Sequence, residues 1–488
     1  MDFKEWIKDR QNLLFVVILV FSIILRIWVY VKTVGQPIWW DEADYLLSSQ
    51  RLFGLNDFFE LNPRRPFLIP AIWGFMMKIG LSEAWLRITE LIASVFGVAL
   101  AYFAGKEMYN KRVGLIAAFG VAVFWQYLFF TGRLLVGLPM TVFWLGAIYF
   151  FWKAHIKKAG HYNYYWFGLF LGLTVFTRGA GILLAGVLGL YLLFTEKLSF
   201  LKCKHLWYAF VIFLVVIAPF FLYMQFQLDD NVLLKYTGVT EDRFSRGMGI
   251  SGIGTYVNFF PAYLFWPFLI VFLFGLGMLL LDLVLSFDLI LKGKSKKFNN
   301  DLLLVLWMVI PFLFFSILVD HMEPRYIMVI FPAVFFIMGK GLLKVGDFVE
   351  KYKKGLGTVV IVLVLLGGGY FQLVQAEGVI GVKSDSYSQV QESGYWLDEN
   401  TPSDAVIYSG STPHHGYYAM RTVYGFPETE ELFWETFEDV DPDYMVISIY
   451  EYHREWVYAF AELNPELVQV VQTYTLEGQP SLIIYEFV

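Results

Sequence analysis

The sequence predicts a polytopic α-helical membrane protein of about eleven transmembrane helices, followed by a C-terminal exterior α/β domain. Three observations predict it. The chain is 58% hydrophobic and only 16% charged, where a soluble domain carries about 25% charged residues. Apolar runs near the ~20 residues needed to cross a bilayer recur from residue 13 to residue 374. Charge then changes abruptly: from Ala376 onward there are 20 acidic and 3 basic residues, whereas the preceding part holds 34 basic and 23 acidic ones. A basic membrane portion (1–375) thus precedes an acidic soluble domain (376–488).

The first run, Leu13 to Val31, is too long for the apolar part of a signal peptide and has no small-residue cleavage site after it, so it reads as a retained first helix. Further spans are expected at 84–105, 113–130, 135–152, 165–178, 181–194, 206–224, 261–285, 302–319, 326–343 and 357–374. The fifth and sixth form a hairpin broken at "RGAG" (178–181), tolerable where neighbouring helices cover the freed backbone. Arg26, inside the first span, costs roughly 2.5–3.5 kcal/mol at a bilayer centre and must face the bundle or snorkel. "PFLIPAIWGFMMKIG" (66–80) is apolar but short, and reads as an interfacial helix within a long first exterior loop, 32–83.

Loop charge orients the chain. With a cytoplasmic N-terminus, the cytoplasmic segments hold 20 basic residues, 18 of them lysine. The exterior segments hold Arg51, Arg64, Arg65, Arg133, Arg178, Arg243, Arg246 and Arg325. This satisfies the positive-inside rule and places the acidic domain outside the cell membrane. Lysine suffices for orientation, whereas arginine presents a planar fork suited to phosphate and carboxylate. An anion handled at the exterior face accounts for the second pattern; snorkelling and surface solvation account for part of it. Arg178, at the helix break, can neutralise exposed carbonyls.

In the acidic domain, 387–400 and 428–440 read as helices, "DAVIYSG" (404–410) and "DYMVISIY" (443–450) as strands, and 467–488 as a hairpin turning at Glu477-Gly478. That is a small α/β domain. It shows no nucleophile elbow, phosphate loop or zinc spacing. His414 and His415, in "STPHHGYY", read as a solvated loop before a metal site. The single cysteine, Cys203, excludes an internal disulfide framework. No N-x-S/T sequon occurs.

Moving a sugar from a polyprenyl-phosphate carrier sets simple requirements. The leaving phosphate is stable as an anion and needs positive charge rather than a general acid. The acceptor hydroxyl needs a base, worth roughly 10²–10⁴-fold. One well-placed carboxylate and several arginines therefore suffice, unlike the paired carboxylates of glycoside hydrolases. Asp41 and Glu42, in "IWWDEADYLL" after the first span, lie on the same exterior side as the arginines. They can equally be a solvated loop pair, and Trp39 and Trp40 read as interface-belt aromatics before a sugar platform.

Residues and order together resemble a known family. "DEADYL" (41–46), "RRPFLIPAIW" (64–73), "AWLRITELIASVFGVALAYFAGKEMYNKRVGLIAA" (84–118), "TEDRFSRG" (240–247) and "EPRYIMVIFP" (323–332) resemble motifs of GT-C glycosyltransferases, in the protein O-mannosyltransferase and aminoarabinose-transferase branch. The resemblance implies a glycosyltransferase with an exterior site, a polyprenyl-phosphate sugar donor, and a glycan, lipid or protein acceptor at the membrane lipid surface. This sequence indicates no metal or other cofactor and no nucleic-acid partner. Asp41 would be the catalytic base, supported by Glu42. The substrate-binding candidates are Arg64, Arg65, Arg133, Arg243, Arg325 and Tyr326. Of these, Arg65, Arg243 and Arg325 would hold the carrier phosphate and Tyr326 would donate a nearby hydrogen bond. Arg325 could instead pair with Glu323 or Asp320. One departure is plain: where the family has a second Asp, four residues after the arginine in "GRLLVGLPM" (132–140), this chain has Gly137. Two other classes remain in view, a flippase of lipid-linked sugars and a non-catalytic scaffold with a partner-binding tail. No internal repeat with helices broken at mid-membrane, the mark of many transporters, is evident.

Overall fold

A computed structural model describes residues 3–62, 65–227, 250–291, 296–319 and 322–488. Arg64, Asp320, and Arg243 with its 240–247 motif, lie outside the described residues. Each of the eleven expected spans falls on a helix. They are α1 (Arg10–Thr33), then, after two helices of the first loop, α2 (Trp40–Leu52) and α3 (Leu68–Lys78), α4 (Glu83–Met108), α5 (Lys111–Val123) with α6 (Trp125–Thr131), α7 (Gly137–Phe151), α8 (Tyr162–Thr177), α9 (Leu183–Glu196), α10 (Lys204–Gln227), α11 (Ile250–Leu291), α12 (Lys296–Leu313), α13 (Phe331–Glu350) and α14 (Leu356–Val382). Among the described residues eight helices are long and apolar enough to cross a membrane, and the α5–α6 pair, bent by 54°, makes a ninth. This is a multi-pass membrane protein. The two remaining segments, α7 and α8, are 15 and 16 residues long, and a π turn at Trp152–Ile156 prolongs α7.

The breaks have local causes. At the "RGAG" hairpin Arg178 is extended and Gly179–Ile182 forms a 3₁₀ turn. A Cβ on Gly181 would sit 2.5 Å from the Thr174 carbonyl oxygen, so only glycine lets the chain fold back this tightly. At the α5–α6 bend, Arg26 is fully buried and donates to the Val121 carbonyl (3.1 Å), the Ala122 carbonyl and Ser94 Oγ (3.1 Å). The buried guanidinium thus satisfies carbonyls that the bend removes from the helical ladder. Arg26 faces the bundle rather than snorkelling.

The C-terminal domain follows α14 and opens with α15 (Ser388–Asn400). Its five strands, β1 (Val406–Ser409), β2 (Thr422–Tyr424), β3 (Tyr444–Ser448), β4 (Val468–Leu476) and β5 (Gln479–Phe487), form one sheet in the order β2-β1-β3-β5-β4. β1 runs parallel to β2 and β3; β5 runs antiparallel to β3 and β4. The hairpin turns at Glu477 and Gly478, both at positive φ, as a two-residue turn demands. Helices α16 (Thr412–Ala419), α17 (Glu430–Val440) and α18 (Glu455–Leu463) connect the strands.

The histidine pair departs from expectation. "STPHHGYY" forms α16, and both His414 and His415 are fully buried. His415 bridges Ser409 Oγ (2.7 Å) and Ser393 Oγ (2.9 Å). His414 stacks on Tyr387 at 4.8 Å and meets the edge of Trp40 at 6.0 Å. Polar residues were expected to hold this stretch in solvent. Instead, α16 packs against α2, where Tyr418 and Leu46 share a buried cluster. The Ile38 amide donates to the Tyr418 hydroxyl at 3.0 Å. The C-terminal domain is therefore docked on the loop that carries Asp41.

Candidate active site

Helix α2 starts with Trp39 at its N-cap, so Asp41 and Glu42 occupy its first turn, where backbone amides favour negative charge. Their roles diverge at once. Glu42 is completely buried. Its Oε2 accepts from the Trp39 amide at 2.8 Å, closing the helix N-terminus. Its Oε1 accepts from the Leu134 amide at 2.6 Å, pinning α2 to the turn between α6 and α7. Arg133 is 1% exposed, donates to the Pro37 carbonyl (3.0 Å) and Gln36 Oε1 (2.8 Å), and stacks on Trp39 at 4.2 Å. Glu42, expected to support the base, and Arg133, expected among the substrate-binding residues, both hold the first loop against the turn before α7. Arg87 completes this layer through the Gly132 carbonyl (2.5 Å), the Gln36 carbonyl (2.9 Å) and Glu83 (2.6 Å).

Asp41 points the other way. Its Oδ1 lies 2.9 Å from Arg65 Nη2 and its Oδ2 lies 2.6 Å from Arg325 Nη2. Arg65 also faces Asp44 at 2.9 Å, and Arg325 also bonds Glu323. The alternative pairing of Arg325 with Glu323 is therefore present, but alongside Asp41 rather than in place of it. Burial alone would raise the Asp41 carboxyl; the charges of Arg65 and Arg325 outweigh it and hold the group below its ordinary range. Asp44 behaves oppositely: burial raises it, Arg65 offsets only part of that, and the Asp41 charge raises it further.

Two cavities meet at this carboxylate. A small one, about 210 Å³, is lined by Asp41, Tyr45, Arg65, Arg178, Arg325 and Tyr326. A wider groove, about 710 Å³, is walled by aromatic side chains of the first loop and of α6, with Lys383 and Tyr387 from the segment between α14 and α15. Asp41 and Arg325 line both. Arg65, Arg325 and Tyr326 are thus brought together as expected. Arg178 was missed as a site residue. Its guanidinium lies 4.8 Å over the Tyr326 ring, and among the described residues no carboxylate pairs with it. Sequence shows it as an arginine beside a glycine-rich break, but not which way it faces. Asp44 and Tyr45 were also missed, although their spacing from Asp41 puts all three on adjoining faces of one helix. Gly137 lines the small cavity, and a Cβ there would meet nothing within 4 Å. Among the described residues no three His, Cys, Asp or Glu side chains gather as a metal site.

Solved structures share this architecture. The chain aligns with ArnT from Cupriavidus metallidurans bound to undecaprenyl phosphate at a TM-score of 0.67 and 13% identity, over 96% of this chain and 97% of that one. This is the GT-C fold. The same fold relates the chain to the Archaeoglobus fulgidus oligosaccharyltransferase, at TM-score 0.67 and 15% identity over 99% of this chain and 75% of that one. It also relates it to the mycobacterial arabinofuranosyltransferase AftD, at TM-score 0.58 and 12% identity over 97% and 40%. A family profile described as dolichyl-phosphate-mannose-protein mannosyltransferase matches residues 64–223. Within the GT-C fold that match takes in Arg65, Arg133 and Arg178, and stops short of both Asp41 and Arg325. No curated protein matches the sequence.

Proposed function

We propose that the protein is a glycosyltransferase that moves a sugar from a polyprenyl-phosphate carrier to an acceptor hydroxyl or similar group at the exterior face of the cell membrane. The observation that carries the reading is a single carboxylate, Asp41, shared by two arginines at the wall between a cationic cavity and an open aromatic groove. Further support comes from neighbours in the GT-C fold whose structures hold undecaprenyl phosphate or a dolichol-phosphate.

The carrier phosphate occupies the small cavity against Arg65, Arg178 and Arg325, with the Tyr326 hydroxyl donating beside them. Arg64 and Arg243 belong to the same proposal. The acceptor enters through the groove. Its oxygen attacks the anomeric carbon as the bond from that carbon to the phosphate oxygen breaks, and its proton passes to Asp41. The bond electrons go to the carrier phosphate, which gains one negative charge as it leaves. The arginines meet that charge where it develops, with no metal in the step. The N-terminus lies in the cytoplasm and the C-terminal domain outside.

The test is sugar release by the purified protein from a panel of labelled polyprenyl-phosphate sugars, in EDTA, with wild type beside Asp41→Asn and Arg65→Ala. Release by wild type that both folded variants lose supports the mechanism. Release from no donor, or release that Asp41→Asn leaves untouched, overturns it in favour of a flippase or scaffold. Release only after a divalent metal is restored overturns the metal-free step.

A further inference from the structure

A third cavity, of about 420 Å³, lies between α2 and the exterior domain, and the chemistry proposed above does not use it. Its lining includes Trp40, Asp44 and Glu60 from the first loop, and Arg421 and Tyr424 from the exterior domain. On α2 the side chains alternate by face. Asp41 and Tyr45 look into the cationic cavity, whereas Trp40, Asp44 and Leu47 look into this one. Trp40 also lines the wide groove, so one ring borders both spaces. A molecule whose reacting end lies at Asp41 and which continues past Trp40 enters this third cavity.

Its lining selects a neutral, hydroxyl-rich ligand. Trp40 and Tyr424 keep 37% and 44% of their surface exposed and offer ring faces. The charges are mostly spent within the protein. Asp44 faces Arg65 at 2.9 Å. Arg421, 6% exposed, bonds Asp398 (3.3 Å) and the carbonyls of Ala419 and Thr401 (2.9 Å each). Its Nε is buried without a hydrogen-bond partner. Among the described residues no cation pairs with Glu60. Aromatic faces plus a few hydrogen-bonding groups, with little net charge, match a pyranose: its C–H face packs on rings and its hydroxyls donate to the Asp44 and Glu60 carboxylate oxygens. An extended peptide would leave these groups facing apolar side chains or an unmatched charge.

We propose that this cavity is an extended subsite for a neutral sugar unit of an oligosaccharide acceptor, one or two units from the reacting hydroxyl. The inference deepens the transferase reading and rests on it for the direction of the chain. The test measures binding of neutral hexose oligosaccharides of one to four units to the purified full-length protein by saturation-transfer NMR and calorimetry. It compares wild type, Glu60→Gln and Tyr424→Ala, with undecaprenyl phosphate affinity and donor-sugar release as separate readouts. Binding should require two units or more. Tyr424→Ala should weaken it roughly threefold to tenfold, and Glu60→Gln should weaken it less. Neither variant should change undecaprenyl phosphate affinity. No oligosaccharide binding, binding indifferent to both substitutions, or tighter binding of a basic or acceptor-like peptide at these residues would overturn the subsite. If donor release persists in those cases, the transferase reading stands alone. If oligosaccharides bind as described but no donor is turned over, the transferase reading fails instead.

Discussion

Replacing Asp41 with asparagine keeps the side chain's shape and removes its charge, and the geometry gives that change two effects of opposite sign. Turnover should fall about 10²–10⁴-fold, because the acceptor proton loses its destination. Affinity for the carrier phosphate should rise. Arg65 and Arg325 each give one contact to Asp41, at 2.9 and 2.6 Å, and the substitution releases both. The Asp41 side chain is 28% exposed, so each contact is screened and worth about 1 kcal/mol. The pair amounts to about 2 kcal/mol, or roughly thirtyfold in dissociation constant. That is an upper bound, since Asp44 still faces Arg65 and Glu323 still faces Arg325. Donor turnover and calorimetry with undecaprenyl phosphate on the same preparation read both effects. A merely structural Asp41 would lower both together; a folded variant with weaker phosphate binding, or with full turnover, refutes the reasoning. The wild-type pH profile gives a companion check. With the Asp41 carboxyl held low, the base stays ionised through the ordinary carboxylate range, and kcat/KM should fall only below about pH 4.

Other perturbations separate binding, positioning and docking. Arg178→Gln should weaken undecaprenyl phosphate binding roughly tenfold, the worth of one charge-assisted contact, without lowering Tm, because no carboxylate among the described residues is left unpaired. Glu42→Gln should destabilise the protein by about 3 kcal/mol by stripping Arg133 of its buried counter-charge, seen as a lower Tm, with residual turnover per folded molecule near wild type. Gly137→Asp puts a carboxylate into open space at the start of α7, and should weaken donor binding about tenfold by competing for the arginines while leaving Tm unchanged. Burial lowers His414 to about 4 and His415 to about 3. Below their ordinary value the unfolded chain therefore binds protons that the folded domain refuses. The stability they allow is complete above about pH 6.5 and is lost as pH falls toward 4, by about 3 kcal/mol for His414 alone. Thermal melts between pH 7 and 4 should show this, and His414→Phe should flatten the slope.

Long apolar runs, loop charge and alternating strands are written locally, so all eleven helical segments and the terminal hairpin were legible in the sequence. The meeting of Asp41 with Arg65 and Arg325 was anticipated because a carboxylate and arginines were expected together at one membrane face. Direction was not. Asp41 and Glu42 are neighbours in sequence, yet one faces a cavity and the other is sealed into the turn before α7, because successive residues on a helix lie about 100° apart. Arg178 and Arg133 look equivalent as arginines of inter-helix segments. Only packing shows that Arg133 is consumed by Pro37, Gln36 and Trp39 while Arg178 overlooks the cavity. The buried histidines were misjudged for a related reason: part of the surface that covers His414, the Trp40 ring on α2, is more than 300 residues away in sequence.

That separation has a consequence for how the protein is made. Ile38, three residues before Asp41, gives its amide to Tyr418, 380 residues later. The Gln36 side chain reaches the Ile380 carbonyl at 3.4 Å. Asp41 therefore emerges early in synthesis and must wait for the last part of the chain to arrive and hold its loop. A chain that stops short of residue 412 inserts its helices yet lacks the α16 face on which α2 rests. Completion of the polypeptide is thereby built into the geometry of the site, and an unfinished copy in the membrane cannot assemble the wall that Asp41 shares with Arg325 and Tyr387.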